Sequence, residues 1–209
     1  MRNQWAQKTY DEVCSTTNLD DVNNIFNGIR YLTKSEIGAI IGEIIGNFNS
    51  NMNEKLSIIL KSKKYKENLD CVSELQDSII MCLFKAFFNN IKNGNTICKN
   101  YLKSFILDKT INYCWEINDE KNNSILHILM ENCNLLNDKE LDELLSIIPL
   151  EHFSILNKNN NNDNVIKLFK ENNRLKTNNK KKKIIELLNK HTDNQSIEID
   201  VNAYILETV

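Results

Sequence analysis

The scarcity of glycine and proline is the feature that most limits what this chain can fold into. Its 209 residues include 5 Gly and 1 Pro. Sandwiches and barrels of β-strands need many tight turns, which these two residues usually supply. Helices joined by loops of another kind therefore fit the chain better. Asparagine is suited to such loops because it tolerates a left-handed backbone, and it makes up roughly one residue in six.

Composition and net charge limit the partners and the cellular location that we expect for this protein. Hydrophobic residues make up 41% and charged residues 26%, and the formal net charge is −2. Such a chain has no overall basic field, so we expect neither nucleic acid nor a membrane as partner. Residues 1–12 lack the apolar core of a secretory signal, and the longest apolar stretches are too short to span a bilayer. We therefore expect an intracellular protein, in the cytoplasm, the nucleus or both.

The residues that usually carry metal or catalytic chemistry show no recognisable pattern. The six cysteines contain no CxxC pair, and the three histidines lie far apart in the sequence. We expect reduced, buried thiols and no metal site. No nucleotide-binding loop and no Ser or Cys nucleophile motif is present. The chain is accordingly predicted to bind no cofactor and to be no enzyme.

Helical periodicity covers the N-terminal half after a short tail, residues 1–18. The first predicted helix runs from about residue 19 to 31, and the longest from about residue 70 to 91. Between them, Thr33 and Glu36 have the spacing of a capping box, which predicts a helix start at Thr33.

A stripe of glycines follows this capping box. Gly38, Gly42 and Gly46 recur every four residues, so three missing side chains lie along one helix face. Such a face usually allows another helix to approach closely. One alternative function is therefore a structural subunit that forms homo-oligomers through this face.

An internal repeat is visible in the C-terminal half. Residues 122–132 align with residues 162–172, and each stretch is followed by a second apolar-periodic segment. The unit is an Asn-rich turn, a short helix, a loop and a second helix. One such helix pair cannot bury its apolar face alone, so the units are expected to stack.

The first unit resembles the ankyrin repeat. Ser124-Ile125-Leu126-His127 stands where that family has Thr-Pro-Leu-His, and Asp119 with Asn122 resembles the family's Asp-x-x-Gly turn. The resemblance implies that Ser124 caps the first helix, that Leu126 enters the core, and that His127 hydrogen-bonds to the neighbouring turn.

The chain also departs from the ankyrin pattern. In the second repeat unit Lys167 replaces the histidine and Asn164 the threonine. A third stretch near Gly94 is only weakly similar to the repeat. The two clearer units lie about 40 residues apart, against the usual 33, and proline is absent from the expected positions. A generic helical array, such as a HEAT-like solenoid or a viral helical bundle, is the alternative.

Composition, helical periodicity and the resemblance together predict an all-α fold. A helical region, residues 19–93, packs on a short ankyrin-like array, residues 94–191, which the resemblance implies, and a C-terminal tail, residues 192–209, follows. The resemblance also implies a protein partner that contacts the turns and first helices. The candidate contact residues are Asn122, Asn123, Met130, Asn161, Asp163, Lys167 and Lys170.

The sequence leaves several functions open. The excess of Asn, Lys and Ile is typical of an AT-rich genome, which suggests a viral or parasite regulator of host signalling. A fragment of a transcription-associated regulator fits equally well, and an enzyme with a site assembled from scattered residues is a further alternative. Lys180, Lys181, Lys182 and Lys183 form a candidate nuclear-import run, although a solvated loop is the favoured interpretation.

Overall fold

The fold is all-α throughout the part of the chain that can be described. The computed structural model describes residues 4–28, 32–149, 157–171, 182 and 184–186. These residues are mostly helical and contain no β-strand, only an isolated antiparallel bridge between Val72 and Ser78. The fold class expected from the shortage of glycine and proline is confirmed. The chain divides into two compact units, residues 1–120 and 121–209.

Short helices make up both units. In the first unit they are α1 (Gln4–Ser15), α2 (Leu19–Gly28), α3 (Lys34–Gly46), α4 (Asn53–Lys61), α5 (Lys63–Lys66), α6 (Ile79–Lys92) and α7 (Thr96–Leu107). In the described residues of the second unit they are α8 (Ile125–Asn132), α9 (Asp138–Leu145) and α10 (Val165–Glu171). Two 3₁₀ turns, Ser50–Met52 and Cys133–Leu135, precede α4 and follow α8.

The segment predicted as an N-terminal tail contains a helix. Helix α1 buries Ala6, Thr9 and Val13 on one face. The buried Lys55 of α4 donates from Nζ to the Val13 carbonyl at 2.9 Å and to the Cys14 carbonyl at 2.8 Å. These carbonyls lie in the last turn of α1, where backbone acceptors lack helical partners and a positive charge is favourable. Residues 4–15 are therefore part of the first unit, which corrects the prediction.

Helix α3 begins where the capping box predicts. The Thr33 backbone N–H donates to Glu36 Oε2 at 2.7 Å, and the Glu36 N–H donates to Thr33 Oγ1 at 3.3 Å. Both halves of the motif are present, so the predicted start is confirmed.

Helix α6 forms the core of the first unit but is shorter than predicted. Nine of its residues are buried, and it packs against α3 and along α7. It begins at Ile79 rather than near residue 70, because residues 71–78 form a loop closed by the bridge from Val72 to Ser78. Gln76 lies in the left-handed region, with φ 59°, and ends any helix there. The prediction was wrong because Val72 and Leu75 continue the apolar period of α6 into the loop.

The boundary between the units also differs from the predicted one. The repeat array was expected to begin at residue 94, whereas the first unit extends to residue 120. Helix α7 follows Gly94 and packs along α6, so it belongs to the first unit.

The glycine stripe of α3 lies against the chain's own loop. A Cβ at Gly38 would lie 1.7 Å from the Val72 carbonyl oxygen, and one at Gly42 would lie 2.6 Å from Ser73 Cβ. A Cβ at Gly46 would meet nothing within 4 Å. The loop before α6 comes closest to the stripe, and Cys82 of α6 lies next to it, with its Sγ 3.7 Å from a Cβ at Gly42. Another helix therefore approaches the stripe as expected only in part. Two of the three glycines are therefore covered and do not offer a face to a second copy.

Replacing Gly38 by alanine would place a methyl group on the main chain of Val72. We expect Gly38→Ala to lower the free energy of unfolding by about 3 kcal/mol, because neither backbone can move without disturbing the core. Gly46→Ala is the matched control, since it adds the same methyl group to the same helix in open space. It should change stability by less than about 1 kcal/mol, toward a more stable helix. Urea unfolding followed by circular dichroism measures both, and equal effects would contradict the close contact.

Candidate functional site

Two Asn-rich turns of the second unit, residues 121–124 and 157–164, contact each other directly. Three hydrogen bonds join them, one between main chains and two through side-chain amides. They run from Asn160 N–H to the Lys121 carbonyl at 2.9 Å, from Asn122 Nδ2 to the Lys158 carbonyl at 2.8 Å, and from Asn159 Nδ2 to Asn123 Oδ1 at 2.8 Å. The two turns are therefore joined along their edges.

The same backbone conformation recurs in both turns. Asn122 has φ 60° and Asn162 has φ 64°, so both lie in the left-handed region. Each stands three residues before the first residue of a short helix, α8 or α10. Asparagine adopts this conformation more readily than most residues with a side chain. The Asn164 side chain caps α10 by accepting from the Lys167 N–H at 2.8 Å. An asparagine thus stands in each turn where the backbone is left-handed.

Asn159 holds the second turn in its shape. Its Oδ1 accepts from the N–H of Asn161 at 3.0 Å and from the N–H of Asp163 at 2.9 Å. Its own N–H donates to the Asp163 carbonyl at 2.9 Å. An Asn side chain that accepts from the backbone ahead of it is a typical turn-forming device. The tip of this turn is consequently held in place by several short-range bonds.

His127 connects the first helix to the second turn. Its ring is buried, and Nδ1 accepts from the Ser124 backbone N–H at 3.2 Å while Nε2 donates to the Asn157 carbonyl at 3.1 Å. A backbone N–H can only donate and a carbonyl can only accept, so these partners assign the neutral Nε2–H tautomer. The contact that the ankyrin resemblance implies for His127 is present. The geometry gives this histidine a structural role between α8 and the next turn.

The turn residues among the candidate contacts reach the surface to different extents. Asn122 and Asn161 are exposed, and Asn123 and Asp163 are half-buried. Lys121 and Lys158 are also exposed, at the same edge as these amides. The turns therefore offer solvent an edge of amides and ammonium groups.

Met130 is not on this surface. It is fully buried, and all other residues of α8 except Glu131 are buried as well. Helix α8 packs against α10, which encloses a face that the sequence predicts to be outward. The prediction that Met130 contacts a partner was wrong for this reason.

The candidate lysines lie on α10 and beyond it. Lys167 is exposed and forms ion pairs with Asp163 and Glu171 within its own helix region, and the hydrogen bond to Asp163 raises the pKa of Lys167. Lys170 lies in α10 as well. Lys182 is exposed and lies 3.8 Å from Glu186, measured from Nζ to Oε1. Lys180, Lys181 and Lys183 lie outside the described residues.

A buried charge cluster in the first unit was missed by the sequence analysis. Lys85 of α6 donates to Asp77 Oδ1 at 2.8 Å and to Asp119 Oδ2 at 2.9 Å, and both carboxylates are almost fully buried. Burial raises the pKa of Asp77, although Lys85 acts in the opposite direction. Burial also lowers the pKa of Lys85, but the two carboxylates outweigh it and the net shift is upward. A lysine inside the apolar run of α6 was the sequence signal for this cluster.

The described residues also bear on metal binding and on membrane insertion. Among the described residues, no group of three or more His, Cys, Asp and Glu side chains is arranged to hold a metal ion. None of the described helices combines the length and the apolar character needed to cross a bilayer. No family model matches the chain, and no match was found among curated proteins or solved structures.

The left-handed conformation at Asn162 predicts that glycine at this position gives a more stable protein than valine does. We expect Asn162→Val to lower the free energy of unfolding by about 1–2 kcal/mol, because a β-branched side chain strains this conformation. Asn162→Gly is the matched control and should stay within about 0.5 kcal/mol of the parent. Urea unfolding measures both. A valine variant as stable as the glycine variant would contradict the left-handed turn.

The hydrogen bonds that His127 makes with two backbone groups predict both its tautomer and its contribution to stability. We expect long-range ¹H–¹⁵N spectra at neutral pH to show a proton on Nε2 and none on Nδ1. His127→Ala should lower the free energy of unfolding by about 2–4 kcal/mol, because it removes a buried side chain and takes a partner from the buried Ser124 N–H and from the Asn157 carbonyl. Glu131→Ala, at the exposed position of the same helix, should change it by about 0.5 kcal/mol or less. A proton on Nδ1 would contradict the assigned geometry.

Proposed function

We propose that residues 121–149 and 157–171 belong to a degenerate ankyrin-like repeat pair and that the protein acts by binding another protein through its turn tips. The observation that carries the proposal is the stacking of the two left-handed Asn turns by three hydrogen bonds. The packing of α8 against α10 and the bond from His127 to Asn157 support it.

The chemistry of the tips fits a protein partner. Amide groups donate and accept hydrogen bonds, so they can pair with the main chain of another protein. The bonds made by Asn159 hold the second tip in place before any partner arrives. Less conformational entropy is then lost on binding, which favours affinity from a small polar surface.

Two biological roles remain within this proposal. One is a viral or parasite regulator of host signalling, and the other is a fragment of a transcription-associated regulator. Both would use the tips to recognise a protein, and the identity of that protein distinguishes the two roles.

The test compares two variants of the full chain that carry the same change of charge. The tip variant combines Lys158→Glu with Asn161→Glu, because both side chains are exposed and both residues enter the bonds between and within the turns through their backbone. The control combines Lys139→Glu with Ser146→Glu at exposed positions on and just after α9. Circular dichroism first confirms that both variants retain the helical content of the parent.

Each bait is used for affinity capture from host or native cells, and any captured protein is then purified and titrated by calorimetry. We expect one protein that binds the parent and the control equally and binds the tip variant at least about tenfold more weakly, or about 1.4 kcal/mol. A captured protein that binds all three equally, or the absence of any protein that binds directly in the titration, would refute the proposed use of the tips.

A further inference from the structure

A groove in the first unit lies between α3, the loop of residues 71–78, and α6. We refer to it as the α3–α6 groove. Its volume is about 560 Å³, within the range of pockets that hold small ligands or parts of peptides. Gly42 and Gly46 line it, and a Cβ at Gly46 would meet nothing within 4 Å. The groove is therefore open at Gly46, where α3 has no side chain.

The lining of the groove has an excess of negative charge. Its charged residues are three carboxylates, Glu43, Glu74 and Asp77, and one ammonium group, Lys85, which leaves a formal charge of −2. Lys85 also forms an ion pair with Asp119, so its positive charge is already paired with two carboxylates. A concave surface with this balance attracts cationic groups.

The loop that forms one wall holds an apolar side chain at the rim. Leu75 is 62% exposed although it is a large aliphatic residue. The loop around it is fixed by the bond from the Asp77 N–H to Ser73 Oγ at 3.2 Å and by the ion pair of Asp77 with Lys85. Leu75 is thus held at the edge of an acidic groove, where it can contact an apolar group of a bound molecule.

Amides on and just after α6 also line the groove. They belong to Asn89 and Asn90 of α6 and to Asn93, which directly follows the helix. Asn90 Nδ2 already donates to the Ala86 carbonyl. Amides at successive turns of one helix can pair with the main chain of an extended peptide. A small amine would use the carboxylates alone and would leave these amides and Leu75 unused.

We propose that the α3–α6 groove binds an extended peptide segment in which a lysine or arginine stands next to an apolar residue. The basic side chain lies toward Glu43 and Glu74, and the apolar one contacts Leu75. This site lies in a different unit from the turn tips and does not depend on the function proposed for them.

The test uses a fluorescent, acetylated and amidated octapeptide in which arginine and leucine alternate, with a twin that has glutamate in place of arginine. Anisotropy titrations are made with the full chain. The blocking variant is Gly46→Phe, which fills the open part of the groove, and Gly46→Ala is its matched control. The double variant Glu43→Gln with Glu74→Gln removes charge without adding bulk. The tip variant, Lys158→Glu with Asn161→Glu, reports on the other surface.

We expect the arginine peptide to bind with Kd below about 1 mM and the glutamate twin not to bind in this range. Gly46→Phe and the double glutamine variant should each weaken binding at least about tenfold, with Gly46→Ala and the tip variant unchanged. Binding that is equal in the parent, Gly46→Phe and the double glutamine variant would overturn the proposal, as would no binding to the parent. Acetylarginine amide that competes as well as the whole peptide would also overturn it, because the site would then take a small cation. If circular dichroism shows Gly46→Phe to be unfolded, the double glutamine variant decides the question alone.

Discussion

The first unit depends on the contact between Gly38 of α3 and the main chain of Val72. A side chain at position 38 would occupy the place of the Val72 carbonyl. Its absence lets the loop before α6 lie directly on α3, which brings Asp77 to Lys85 and places Ser78 where its hydroxyl caps α6. Because α6 supplies nine buried residues to this unit, three of them phenylalanines, the arrangement of its core follows from one missing side chain.

In the second unit, asparagine both permits the turn and links it to its neighbour. Glycine would adopt the left-handed conformation of Asn122 equally well, but it has no amide to donate to the Lys158 carbonyl. The same residue type at position 159 organises the second turn from within. A chain with 5 glycines can therefore build stacked turns from asparagine without losing the hydrogen bonds that backbone groups need.

The features that could be predicted are those set by neighbours in sequence. The start of α3 follows from Thr33 and Glu36 alone, and the contact of His127 follows from a local four-residue resemblance. The burial of Met130 could not be predicted, because it depends on α10, more than 30 residues away along the chain. The α3–α6 groove was missed for the same reason, and Lys85, a cation in an apolar run, was its one local sign.

Helix α1 is stabilised at its C-terminal end by the side chain of Lys55. A short helix normally frays from both ends, since its terminal backbone groups exchange hydrogen bonds with water. The Lys55 ammonium holds the Val13 and Cys14 carbonyls and so suppresses fraying at the C-terminal end. Local opening of α1 is then directional: its amides near Gln4 become accessible to solvent protons first, and the turn bound by Lys55 is the last to be released.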